Sequence, residues 1–392
     1  MLISIALILL VGLFLGWLCK KIRFPSLFGM IIGGIILGPF VLNAIDSKLL
    51  GASSELRQIA LIIILIRAGL KLDLSELKRV GRPALLMCFL PASVEILGVV
   101  LIAPKLFGIS IPDAAIIGSV IGAVSPAVIV PRMIKLIDEG WGADKGIPQM
   151  ILAGASVDDV FVIVMFTTFT GLARGEGISA VSFLSIPVSI VLGVIAGSVC
   201  GWLLSKLFTL AHIRDTVKVI ILFILSFALV WAEGILPVPF AALIAVMAAG
   251  AAIKRKKPEL SARLSTRFDK LWVVAEISLF VLVGASVSIE SAASAGVKAV
   301  ILLLCALAFR MAGVFLCLIK TGLNFKERLF CMIAYTPKAT VQAAIGGLPL
   351  AMGLECGQLV LTVSVIAILI TAPLGAFGID LSCRRFLTRG KK

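Results

Sequence analysis

The sequence predicts an all-α membrane protein of about 13 transmembrane helices, built as two inverted six-helix repeats with two broken, crossing helices. Three observations carry this: the hydrophobic composition, the placement of basic residues, and a repeated pattern of prolines. Of 392 residues, 60% are hydrophobic and 15% are charged, and the mean hydropathy is +1.17. Soluble domains run at about 45–50% apolar and about 25% charged. The excess argues against a large soluble α/β enzyme.

Apolar runs long enough to span a bilayer read at 2–18, 27–43, 54–71, 81–104, 112–131, 147–172, 179–209, 216–234, 238–253, 268–288, 296–319, 328–351 and 358–379. The first has no positive n-region and no small-residue cleavage pattern, so it reads as a retained helix. An odd number of spans puts the ends on opposite sides. The tail "CRRFLTRGKK" is basic, which places it in the cytoplasm and the N-terminus outside a cell (inner) membrane.

Of the 36 Lys and Arg, 28 then fall on the inner side and five (Lys48, Arg57, Lys105, Arg174, Lys298) on the outer side. Arg67, Arg310 and Lys338 lie within apolar runs. A span count wrong by one would not give this asymmetry. The net charge of +15 is therefore a topology signal and not a nucleic-acid footprint. The loop "IKRKKPELSARLSTR" is solvated, beside anionic lipid. One His, His212, and one Tyr leave no material for His triads or multi-His metal sites. The eight Cys have no C-x-x-C spacing and read as small buried hydrophobes. Nothing calls for a cofactor.

Two runs carry internal prolines. One is "IIGSVIGAVSPAVIVPRM", with Pro126 and Pro131; the other is "IAYTPKATVQAAIGGLPLAMG", with Pro337, Gly346, Gly347 and Pro349. Proline removes a helix hydrogen bond and clashes with the preceding turn. Freed backbone groups at membrane depth persist only when buried in protein or lining a cavity. These are the fifth and twelfth runs, and an offset of seven spans inverts one half relative to the other. Broken helices at matching places in inverted repeats point to a transporter's midplane site.

The charges follow the same pairing. Glu95 and Arg310 each lie about 14 residues, or about 21 Å, into the run before a broken one. As repeat-equivalent charges they are read as a buried ion pair; the alternative gives each its own water-filled crevice. Arg310 stays protonated, so it is no proton carrier. Arg67 and Lys71 read as snorkelling toward the cytoplasmic end.

Asp158 and Asp159, in "AGASVDDVFV", come about 16 Å into a span of about 30 Å. An Asp at mid-bilayer costs a few kcal/mol, so the pair is functional by default. The position matching Asp158 in the second half is Leu369, so the acids occur in one half only. Helical neighbours point about 100° apart, so one Asp is read as carrying the ion and the other as supporting or sharing it. Two close carboxylates resist simultaneous ionisation. A proton or a monovalent cation can neutralise them in turn, and that competition is an antiport mechanism. Asp158 and Asp159 are the expected Na+ ligands. Ser125 and Thr340, beside the prolines, add hydroxyls, and released carbonyls add hard oxygen suited to sodium or lithium. Lys338 lies where two half-helix ends should meet, placed to offset their C-terminal dipoles; the alternative role is proton carriage.

"ASVDD", "GAVSPAVIVP" and "TPKATVQAAIG", in this order and spacing, resemble the monovalent cation:proton antiporters. Within these the chain is most similar to the double-aspartate group with the animal sodium/hydrogen exchanger-like B (NHA-type) proteins and their bacterial relatives. The resemblance runs from "GGIILGPF" to the last span. It implies a homodimer whose core moves like an elevator. It implies dimerisation segments at 1–80 and 211–290, core segments at 81–174 and 291–383, a linker helix at 175–210 and a basic cytoplasmic tail at 384–392. It also implies that Asp158 and Asp159 bind the cation and the proton, with Asp159 the principal ligand, and that Ser125 and Thr340 sit at the helix crossing. Many bacterial members carry Lys at the Arg310 position, paired with the first aspartate. Arg here is the animal pattern, paired with a glutamate matching Glu95, and without a deprotonating Lys the exchange is expected to be electroneutral.

The leading expectation is Na+(Li+)/H+ antiport; K+/H+ antiport on the same fold is the alternative. An intramembrane aspartyl protease would need acids meeting from separate spans, and a passive channel would lack proton coupling.

Overall fold

The computed structural model describes residues 1–392 except 23, 73–80, 143, 175–179, 212, 236–239 and 390–392. His212 and the last three residues of the basic tail therefore lie outside the described residues. The described chain is helical throughout, apart from one isolated bridge between Trp141 and Arg389.

In order the helices are α1 (Leu2–Lys21), α2 (Ser26–Leu37), α3 (Ser47–Gly51), α4 (Ser53–Lys71), α5 (Arg82–Met87), α6 (Leu90–Phe107), α7 (Ile111–Ile121), α8 (Pro126–Glu139) and α9 (Ile147–Ala173). There follow α10 (Ala180–Leu210), α11 (Asp215–Glu233), α12 (Ala242–Lys256), α13 (Pro258–Ala285), α14 (Ile289–Cys317), α15 (Phe325–Ala334), α16 (Thr340–Ile345), α17 (Leu348–Ala351) and α18 (Gly357–Phe386). Each apolar run read from the sequence overlaps one or more of them. Among the described residues, eight helical stretches are long and apolar enough to cross a bilayer. With no water in the bilayer core, helices satisfy the backbone internally, and this is a multi-pass membrane protein.

Both proline-bearing runs are broken, each in its own way. In the first, α7 starts on a Ser110 cap that accepts the Asp113 amide at 3.2 Å and stops at Gly122. Residues 122–125 are unwound, and Pro126 begins α8, where its missing N–H is harmless. In the second, α15 starts on a reciprocal Asn324–Glu327 capping box and ends at Tyr335. Pro337 stops continuation, α16 resumes at Thr340, and Gly346 and Gly347 separate it from the short α17. A third interruption was not expected: 81–104 reads as one run, but α5 ends at Met87 and α6 begins at Leu90, ahead of Pro91.

The chain divides into two compact units: Met1–Arg57 with Ser75–Arg174 and Ile277–Lys392, and Gln58–Leu74 with Gly175–Glu276. In the larger, α6 packs along α14, and α7 packs on α6 and α9. In the smaller, α10 packs along α12 with small residues facing: a Cβ on Gly193, Gly197 or Gly201 would strike the backbone of Ala241, Ala245 or Ala249. Backbones this close gain dispersion contacts that replace a hydrophobic drive between helices in lipid. Arg67 is not a lone snorkelling charge. It stands 2.7 Å from Asp269, which also takes Lys71 at 2.9 Å, and it lies over the Trp272 ring.

Candidate functional site

The site lies in the larger unit, where the unwound segments of the two broken runs meet. The Ser125 amide donates to Pro337 O at 2.8 Å and ties one break to the other. Three carbonyls at helix C-termini collect here: Ile121 and Gly122 from α7, and Tyr335 from α15. Each end carries about half a negative charge, so the crossing demands cations.

Arg310, on α14, supplies one and is fully buried. Its Nε donates to Tyr335 O at 2.6 Å, and one terminal nitrogen donates to Gly122 O and to Glu95 Oε2, the latter at 2.9 Å. The other donates to Asp158 Oδ2 at 2.9 Å. One guanidinium thus closes both broken helices and joins two carboxylates, a use of its rigid fork that Lys could not copy. The Tyr335 ring faces it at 5.4 Å. Lys338 supplies the second cation, also fully buried. Its Nζ donates to Ile121 O at 2.5 Å and stands 2.6 Å from Glu95 Oε1.

Glu95 is therefore a bridge between two cations. The sequence placed it with Arg310 alone, because repeat equivalence links those two positions and says nothing about Lys338. The Arg310–Asp158 contact was likewise invisible: it joins residues 152 apart, and the family pattern reserves it for Lys.

The two aspartates part company. Asp158 is fully buried and held by Arg310 and by the Val124 amide at 2.8 Å, while its Oδ1 has no partner. Asp159, 8% exposed, has no ion pair among the described residues, and its Oδ1 is also unpartnered. The four-membered cluster of Glu95, Asp158, Arg310 and Lys338 is neutral by itself. Among the described residues, Asp159 is the one acid at the crossing without an ion-pair partner.

Ser125 and Thr340 are buried at the crossing, and the hydroxyl of each lacks a hydrogen-bond partner. The unpartnered acceptors thus include oxygens of Asp158, Asp159, Ser125 and Thr340, the residue types that hold hard cations. Among the described residues no three His, Cys, Asp or Glu gather as a metal site. Arg57, counted among the outer loop charges, is instead 4% exposed within α4, and its guanidinium lies against Gly347. Gln342, which the sequence reading passed over as part of an apolar run, is fully buried and donates to Ala123 O at 2.8 Å.

The chain resembles known proteins along nearly its whole length. A family model described as "Sodium/hydrogen exchanger, transmembrane" matches residues 5–381. Human sodium/hydrogen exchanger 9B2 is 34% identical over 93% of this chain and 70% of its own length. Human sodium/hydrogen exchanger 9B1 is 32% identical over 93% of this chain and 73% of its own. In fold, the sodium proton antiporter MjNhaP1 from Methanocaldococcus jannaschii at pH 8 superposes with a TM-score of 0.84 over 97% of both chains, at 18% identity. These homologues are transporters and not enzymes. With the family model covering nearly the whole length, the chain belongs to the sodium/hydrogen exchanger family.

Proposed function

We propose that this protein is a secondary antiporter that exchanges Na+ or Li+ for H+, with Asp159 as the carboxylate that both ions use in turn. One observation carries the reading: the buried cluster balances its own charge and leaves Asp159 alone. A proton or a monovalent cation is what neutralises a lone buried carboxylate, and the two exclude one another. The unpartnered oxygens of Asp158, Ser125 and Thr340 complete a hard-oxygen ligand set for the cation.

Asp158 serves as support. Its Oδ2 holds the unwound peptide through the Val124 amide and is fixed by Arg310. Arg310 cannot lose its proton, and Lys338 is engaged by Glu95 and Ile121 O, so neither supplies a second proton. One carboxylate then trades one proton for one monovalent cation, and exchange is electroneutral. Lys338 neutralises helix ends and carries no proton.

The wider organisation follows the family. Thirteen spans form two inverted six-helix repeats, with the N-terminus outside and the C-terminus cytoplasmic in the cell membrane. The protein works as a homodimer, through segments 1–80 and 211–290. The core, 81–174 and 291–383, carries the site between the two faces like an elevator, joined by the linker helix at 175–210.

The test is flux into proteoliposomes carrying a pH dye. Na+ and Li+ should each drive proton movement with saturation, K+ should not, and a potential-sensitive dye should stay silent. Proton movement driven equally by K+ would remove the ion assignment, and a dye response to Na+ in ion-tight vesicles would remove electroneutrality.

A further inference from the structure

The peptide unit between Ala123 and Val124 is gripped from both ends. Its N–H, on Val124, donates to Asp158 Oδ2 at 2.8 Å. Its C=O, on Ala123, accepts the Gln342 Nε2 at 2.8 Å. The same amide group lies 3.5 Å from Ile121 O. Peptide dimensions then put the Gln342 amide within about 8 Å of Asp158 Oδ2. The aspartate comes from α9 and the glutamine from α16, so the unwound segment of the first broken run is clamped by a helix on either side.

Two further facts make packing a poor account of Gln342. It is fully buried, and its Oε1 has no donor. Ala123 O can only accept, so the Nε2 must face it and the oxygen is turned away; the orphaned acceptor is fixed by the network. An unpartnered buried oxygen is costly, and Leu or Met in its place would carry no such penalty. The donor end is what the position requires. The Gly122 amide still reaches Ser119 O at 3.2 Å and Ser125 O accepts the first bonds of α8. The Ala123–Val124 peptide between them is held by side chains, and Pro126 has no N–H to offer. Without Gln342 the peptide is anchored on the Asp158 side alone.

We propose that Gln342 is a positioning residue of the ion site: it holds the Ala123–Val124 peptide so that the Val124 N–H stays aimed at Asp158. It acts through that peptide and touches no reacting atom. The inference rests on Asp158 belonging to the cation site, but the clamp can be read without transport.

The test uses the full-length protein with Gln342→Met and Gln342→Leu, which keep an apolar side chain of similar bulk and remove the donor without adding a charge. Hydrogen–deuterium exchange at the Val124 amide should quicken about tenfold or more in both, while α9 stays protected. In proteoliposomes the apparent KM for Na+ should rise about tenfold with the maximal rate within about twofold, the size one buried hydrogen bond supports. If one variant does not fold, the other carries the test. Unchanged exchange at Val124 would overturn the clamp. Faster exchange with an unchanged KM would overturn its role in the ion site. Failure of Na+/H+ exchange in the wild type would sink the antiport reading while leaving the amide result to stand.

Discussion

Glu95 and Asp159 show what one carboxylate does when buried with or without company. Glu95 contacts both cations of the crossing, and removing it leaves Lys338 without an anion and Arg310 with Asp158 only. Breaking a buried pair from one side costs about 3–5 kcal/mol. Glu95→Gln should therefore lower the thermal midpoint sharply, and adding Lys338→Met should recover part of the loss. Additive effects would contradict the bridge. The aspartates should split the same way. Asp158→Asn removes an Arg310 partner and should destabilise, whereas Asp159→Asn removes an uncompensated acid and should leave the midpoint unchanged or higher. Thermal unfolding in detergent separates them; equal losses would contradict this charge count. The sequence marked all four ions of the cluster as intramembrane charges. Which bound which was not legible, because repeat symmetry pairs positions in sequence and the crossing pairs them in space.

At the level of elements, prolines and glycines announced the two breaks correctly because their chemistry is local. The break between α5 and α6 was missed for a related reason. Pro91 sits in the first turn of α6, where its missing N–H is harmless, so it marks a new helix start that the apolar run 81–104 conceals. Gln342 and the Ala123–Val124 peptide were equally hidden, since a backbone carbonyl carries no residue type to notice. Helix packing gives its own prediction. Gly197 lets α10 lie against the backbone of Ala245, so Gly197→Leu should abolish recovery of folded protein. Ile195→Ala, on an exposed position of the same helix, should have no effect. Size-exclusion profiles in detergent decide; a folded Gly197→Leu protein would show that the close contact is dispensable.

For the whole molecule, composition and the asymmetry of basic residues were enough to announce a multi-pass helical membrane protein, because lipid leaves so few ways to satisfy a backbone. Mechanism depends on charge counted over the entire site. Two acids and two bases cancel and one acid remains, and on the proposed function that acid sets the stoichiometry. Neutral exchange of this kind is driven by ion gradients and not by the membrane potential. An imposed potential should therefore leave the initial rate of Na+-driven proton movement unchanged, and acceleration by an inside-negative or inside-positive potential would contradict one-for-one exchange.

The most direct test of this account is Na+-driven proton movement in proteoliposomes of Asp159→Asn, compared with wild type at equal reconstitution. The account predicts a signal indistinguishable from protein-free vesicles, from a protein that still folds. Exchange retained at more than about a tenth of the wild-type rate would contradict it.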